Sequence, residues 1–383
     1  MSRKTVVITE IIAPYRIPVF NALARHEEID LHVVFLAETD EILRQWRVYK
    51  DEIRFSYEVL PSLRLRLGKH GLLLNWRLRS CLKRANPEVI VFGGYNYVAS
   101  WEALLWARRR GIEFALWSES NLHDSRARSA STEFLKKYFV RRCDRFIVPG
   151  SSSFDYQRSL GSAESDIFIA PDAVDNSFFA AHAGVAREHA DEFRQRLKLP
   201  GRFILFVGRL VREKGVLDLL DAYARLDCGL RSAVGLVFAG DGVLRAELSR
   251  RAQQISPGAV CFPGFLQRED LAVLYALSEV FVLPTRSDPW GLVVNEAMAC
   301  GLPVIVTNVA GCAADLVEDN WNGYIVPARD PDRLSFAINS VIGNPELKPR
   351  MGAHSLERIR NYTPESCAKG LAAAALPVRA RVR

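Results

Sequence analysis

Residues 170–200 read "APDAVDNSFFAAHAGVAREHADEFRQRLKLP" and hold no strand-like run. On both sides, short apolar runs alternate with longer helical patterns. Before the gap come "KTVVITE", "DLHVVFLA", "EVIVFGG", "IEFALWSE" and "RFIVPG"; after it come "FILFVGRL", "GLVFAGDG", "AVCFPGF", "VFVLPT" and "PVIVTN". Each run is apolar nearly throughout, as expected of strands covered on both faces of a parallel sheet. Between them, "WEALLWARRRG" and "GVLDLLDAYARL" carry helical spacing. Strand–helix alternation of this kind is α/β, and the rhythm restarts at Arg202 as if from a new first strand. The expected fold is therefore two Rossmann-like doubly wound domains facing across a cleft: residues 1–170, a linker 171–200, and residues 201–361.

The bulk properties agree with a two-domain globular chain. There are 383 residues, 49% hydrophobic and 25% charged, long enough for two cores of ordinary size. No apolar run approaches the roughly 18 residues of a membrane span. The first residues, "MSRKTVVITEIIAPYRIP", lack a signal-peptide pattern. Seven cysteines are dispersed with no CxxC pair, which argues against a disulfide framework or a zinc ribbon and favours reduced thiols in a cytoplasm. The net charge of +7 is uneven. Seven cations and no acid lie between Glu58 and Glu88, and a second basic cluster covers Arg126, Arg128, Lys136, Lys137, Arg141, Arg142 and Arg145. Such patches attract polyanions or an acidic membrane surface.

Ligands of open α/β sheets bind beyond the carboxyl ends of the strands, so the strand ends carry the functional reading. "FILFVGRLVREKG" (203–215) ends a strand at Gly208 and offers Arg209 and Lys214 as a pair of cations for a diphosphate. "LVFAGDGVLRAEL" (236–248) ends in Gly240-Asp241-Gly242, without a complete GxGxxG dinucleotide fingerprint. "VCFPGF" places Phe265 and Leu266 after a third strand, where backbone groups could read a base. "SDPWGLVVNEAMACG" (287–301) follows the strand "VFVLPT". There Gly291 turns the chain into a helix whose first amides, at Leu292 and Val293, suit a phosphate. Asp288 before that helix and Glu296 within it are read as hydroxyl grips on either side of a diphosphate, the layout for a nucleotide-sugar.

In order and spacing, "GRLVREKG", "GDGVLR", "GFL" and "DPWGLVVNEAMACGLPVIV" resemble the C-terminal half of the large group 1 (family 4) retaining glycosyltransferases of GT-B fold. "PDAVDNSFF" (171–179) and "YTPESCAKGLAAAAL" (362–376) also match, the latter where the family's last helix crosses back onto the first domain. The first half agrees only in general plan. The resemblance implies that Arg209 and Lys214 bind the donor diphosphate, that Glu296 binds the ribose, and that Asp288 stands where the family's first glutamate usually sits, one methylene shorter. It implies phosphate contacts by the backbone of Gly291, Leu292 and Val293 and base contacts by Phe265 and Leu266. The implied partners are a nucleoside diphosphate sugar and a glycan or lipid-linked acceptor, with no cofactor and no metal, as no DxD-like cluster closes a strand.

The first half supplies candidates for the acceptor or sugar. Pro14-Tyr15-Arg16 replaces the glycine-rich loop many relatives carry, leaving Arg16 as a possible contact. Tyr95 and Asn96 in "FGGYNY" end a strand, and either Glu119 or His123 in "LWSESNLHD" stands near the position of the family's sugar-side histidine. The stretch 62–84, "SLRLRLGKHGLLLNWRLRSCLKR", is read at helical spacing either as a solvated basic face or as an interfacial segment on the inner face of a cytoplasmic membrane. A sugar-nucleotide epimerase on the same fold is the nearest alternative. A basic nucleic-acid-binding protein is disfavoured by the lack of aromatic-basic interleaving or a helix-turn-helix.

Overall fold

The computed structural model describes residues 2–40, 45–67, 70–122 and 130–377. The chain divides into two compact units, Met1–Ala173 with Pro364–Arg383 (unit 1) and Val174–Thr363 (unit 2).

Unit 1 contains β1 (Arg3–Thr9), β2 (Ile29–Phe35), β3 (Ser56–Val59), β4 (Ser62–Leu67), β5 (His70–Asn75), β6 (Val89–Gly93), β7 (Glu113–Trp117), β8 (Arg145–Val148) and β9 (Ile167–Ile169). Seven of these form one parallel sheet in the order β3-β2-β1-β6-β7-β8-β9. The unbroken apolar character of the strands has a simple cause. Successive side chains point to opposite faces, and here both faces are core. Val6 and Ile8 of β1 join Ile90, Phe92, Phe114 and Leu116 in one cluster. Val7 between them joins Val33, Val91 and Ala115 in the other. Each such side chain removed from water contributes about 1.5–3 kcal/mol before entropy is counted. The helix Pro364–Ala375 belongs to this unit and buries Cys367, Ala368, Leu371 and Ala372 in the second cluster. Its small residues permit close packing: a Cβ at Gly370 would stand 2.3 Å from the carbonyl of Ile169.

Unit 2 contains β10 (Phe203–Val207), β11 (Gly235–Ala239), β12 (Val260–Gly264), β13 (Val280–Leu283), β14 (Val304–Thr307) and β15 (Gly323–Val326). They form a parallel sheet in the order β12-β11-β10-β13-β14-β15. The strand order reverses between β10 and β13, the switch point at which doubly wound sheets open a crevice.

Two local expectations give way. Residues 174–200 fold as helices Asn176–Glu188 and Ala190–Leu197 within unit 2, so the stretch is more than a linker. Asp175 starts the first helix by accepting the amide of Phe178 at 2.9 Å, and Phe179, Ala183 and Ala186 form its narrow buried stripe. The basic stretch 62–84 is also not one helix. Residues 62–67 and 70–75 pair as antiparallel strands, β4 with β5, and among the described residues of this stretch only Leu78–Ala85 is helical. "SLRLRL" alternates with period two, which is a strand pattern, and its leucines Leu63 and Leu65 are exposed.

Candidate functional site

Every C-terminal-half candidate lies beyond the carboxyl ends of β10 to β13. The turns there are close enough to exclude side chains: a Cβ at Gly240 would stand 2.0 Å from the carbonyl of Gly208. Gly208 donates its amide to Ala239 and Gly240 donates to Gly264, at 2.9 and 2.8 Å, so the ends of β10, β11 and β12 are laced together. Phe265 and Leu266 follow immediately, with Phe265 exposed.

The loops after β10 and β13 are joined directly. Lys214 pairs with Asp288, and their side chains are 19% and 9% exposed. Arg286 grips Asp218 through two hydrogen bonds of 2.8 and 2.6 Å, and its amide donates to the carbonyl of Glu213 at 2.8 Å. The backbone of Asp288 is itself held, its carbonyl accepting the amide of Gly311 at 3.0 Å. The charges at this switch point are thus placed by rigid turns, with one exception. The Arg209 side chain is exposed and has no hydrogen-bond or ion-pair partner among the described residues, though the Arg209 carbonyl accepts the amide of Val211 at 2.9 Å.

Gly291 caps the helix Leu292–Ala299 with φ of +104°, a left-handed geometry that glycine adopts without strain. A glycine cap brings no side-chain oxygen, and no acceptor among the described residues takes the amides of Leu292 and Val293. They remain available to an anion, with the helix dipole adding to the attraction.

Glu296, one turn further on, is partly buried and accepts a hydrogen bond of 2.7 Å from the hydroxyl of Tyr275. Burial pushes its carboxyl up to about 7, while the Tyr275 hydrogen bond works in the opposite direction. Tyr275 is fully buried in the helix Arg268–Leu277, and burial beside Glu296 drives its hydroxyl well above the usual range. It packs edge-on against Phe179 at 6.2 Å. The sequence reading missed Tyr275 because "LAVLYALSEV" looks like core. The only signal was a phenol, which normally needs a polar partner when buried.

In unit 1 the candidates are placed differently. Arg16 pairs with Glu119 and lies 3.6 Å from Asp172, and its guanidinium stacks over Trp117 at 3.8 Å. The Arg16 and Asp172 side chains are only 11% and 3% exposed. Burial, then repulsion from Glu119, raises the Asp172 carboxyl, and Arg16 opposes the shift. Arg16 is therefore enclosed in a charge cluster with Asp172, while the Glu119 side chain that pairs with it remains 38% exposed. Tyr95 is half-buried, its hydroxyl 3.2 Å from Ser120 Oγ, and Asn96 is exposed. His123, with Arg126 and Arg128, lies outside the described residues.

Among known proteins, the family model described as glycosyl transferases group 1 matches residues 188–358. The GDP-mannose-dependent alpha-mannosyltransferase of Corynebacterium glutamicum is 30% identical over 295 residues, 75% of this chain and 67% of that protein. The alpha-D-kanosaminyltransferase of Streptomyces kanamyceticus is 32% identical over 166 residues, 43% of this chain and 42% of that protein. Several curated relatives are matched over less than half of their length, between 36% and 46%. Among solved structures, Anabaena HepE in complex with UDP and glucose superposes with a TM-score of 0.75 at 16% identity, covering 97% of this chain and 98% of that one. The strand order, the sheet-end turns and these matches lead to one assignment: the chain belongs to the group 1 glycosyltransferases and has their GT-B fold of two Rossmann-like units.

Proposed function

We propose that the protein transfers a sugar from a nucleoside diphosphate sugar to an acceptor hydroxyl with retention of anomeric configuration. The observation that carries this is the anion-shaped end of unit 2. An unpaired Arg209, the Lys214 ammonium and two unclaimed amides at Leu292 and Val293 all belong to turns around one switch point. In the proposed reaction the bond from the anomeric carbon to the diphosphate breaks, the electron pair leaves with the phosphate oxygen, and the acceptor oxygen bonds to that carbon on the same face as its O–H proton passes to the departing phosphate oxygen. Arg209, Lys214 and the helix amides stabilise the growing negative charge. Glu296 accepts hydrogen bonds from the ribose, and Asp288 orients Lys214 at the sugar side. Phe265, Leu266 and the Gly240 turn flank the base. Neither a cofactor nor a metal enters this scheme.

Support for a nucleotide donor also comes from HepE, a relative in fold solved with UDP and with UDP-glucose. For the acceptor we favour a lipid-linked glycan at an anionic membrane surface, in cell-surface polysaccharide synthesis. The β4–β5 hairpin exposes Leu63 and Leu65, and Trp76 beyond it is 64% exposed beside the exposed Arg77 and Arg79. Aromatic and basic side chains together suit a lipid headgroup region. No helix among the described residues is long and apolar enough to cross a membrane. The test is a thermal-shift panel of UDP, GDP, ADP and their sugars, followed by turnover with the stabilising donor. Stabilisation by one base is expected; no shift with any of them overturns the donor reading.

A further inference from the structure

A second cluster lies in unit 1 and shares no residue with the proposed donor site. His32 on β2, Glu58 on β3 and Cys81 on the helix Leu78–Ala85 each offer one ligand atom, all within 4.8 Å of one another. The sheet explains the convergence. His32 stands opposite Ser56 in the β2–β3 register and Val34 opposite Glu58, so His32 and Glu58 project from the same face. Val34 and Cys81 share the core cluster on that face, which the helix covers. The Cys81 thiol lies within 4.8 Å of the Glu58 carboxylate. His32 Nδ1 lies 2.8 Å from Ser56 Oγ, the outer hydrogen bond that commonly fixes a metal-binding imidazole and leaves Nε2 for the metal.

We propose that His32, Glu58 and Cys81 form a binding site for a thiophilic divalent cation of the zinc class, held by one imidazole, one carboxylate and one thiolate with water in the fourth position. Metal–ligand bonds of about 2.0–2.3 Å in a tetrahedron place ligand atoms roughly 3.3–3.8 Å apart. Closing from 4.8 Å thus takes side-chain rotation of about an ångström. On binding, the thiol proton passes to solvent and a sulfur–metal bond replaces the S–H. In the metal-free state the cation facing Glu58 is Arg84, through contacts of 2.7 and 2.9 Å. Arg84 is 61% exposed and can swing into water when a metal displaces it. The metal would clamp β3, the edge strand of the sheet, to the helix above it.

Cobalt(II) is the probe, added to the full-length protein purified in chelator. One equivalent should bind with a thiolate-to-metal charge-transfer absorption, zinc should displace it, and zinc should raise the melting temperature by several degrees. His32→Ala and Cys81→Ser should each weaken binding at least tenfold, and Arg84→Ala should tighten it by removing the competing cation. Should Cys81→Ser fail to fold, Glu58→Gln serves in its place. Absence of stoichiometric cobalt binding, or a charge-transfer band that survives both ligand substitutions, overturns the proposal. Nucleotide binding by unit 2 is measured separately, so either reading can fail alone.

Discussion

Both units are Rossmann-like sheets with charged residues beyond their strand ends, yet they use those charges in opposite ways. In unit 1 the ends are self-satisfied: Arg16 with Glu119 and Asp172, Arg64 with Glu10 and Asp40, Tyr97 with Glu10 at 2.8 Å. In unit 2 the pairing is incomplete. Lys214 pairs with Asp288 and Arg286 with Asp218, but the Arg209 side chain is unpartnered among the described residues, the Gly291-capped helix leaves two amides unclaimed, and Glu296 has one buried phenol as partner. On the proposed reading the same topology yields a structural keystone in one unit and an anion grip in the other. What separates them is the part of the charge that the fold leaves without a counter-charge.

The comparison breaks most sharply at Arg16. Replacing it by methionine strands Asp172 and Glu119, and loss of one partner from a buried ion pair costs about 3–5 kcal/mol. Chemical denaturation should show that loss, while the affinity of the folded fraction for nucleoside diphosphate stays within twofold. Arg209→Ala should do the reverse, because no buried partner is stranded when it goes. Melting should change little, but kcat/KM should fall by about 10²–10³, roughly 3–4 kcal/mol of transition-state stabilisation. A loss of stability from Arg209→Ala equal to that from Arg16→Met would erase the distinction.

The smallest effect is a pH signature. The Glu296 carboxyl is raised to about 7 from an ordinary 4.5, so the folded protein binds more protons than the unfolded chain between those values. Stability should therefore fall as pH rises through that window, by at most about 3 kcal/mol. Nucleotide affinity should move the other way, because ribose hydroxyls prefer the ionised carboxylate. Glu296→Gln should flatten the affinity curve and reduce the slope of the stability curve, to which Asp172, whose carboxyl is also raised, still contributes. Tyr275→Phe should shift the affinity midpoint to higher pH by removing a hydrogen bond that favours the charged form. Isothermal titration from pH 6 to 8 reads this directly.

The architecture was legible because parallel strands buried on both faces leave uninterrupted apolar runs, and because two such series flank residues 170–200. The glycine turns of unit 2 were legible for a related reason, since turns in which backbone closes on backbone tolerate few residue types. Pairings were not legible. Nothing in the spacing of Lys214 and Asp288, 74 positions apart, announces an ion pair. Arg16 reads as a loop cation until the packing around Trp117 encloses it. Tyr275 is hidden by its apolar neighbours, and tertiary contact, which local pattern does not encode, decided each of these. The strand pair 62–67 and 70–75 is a different case: its period-two alternation was on the page, but its leucines and arginines also satisfy a helical count.

The helix Asn176–Glu188 has a practical corollary for exchanging C-terminal halves between relatives. The match to the family model begins at residue 188, downstream of Phe179, whose ring supports Tyr275 and whose carbonyl accepts from Cys300 at 3.6 Å. A chimera spliced at that boundary would import a foreign prop beneath Tyr275 and Glu296, the proposed ribose contact. A graft that also carries residues 174–187 keeps prop and contact from the same parent.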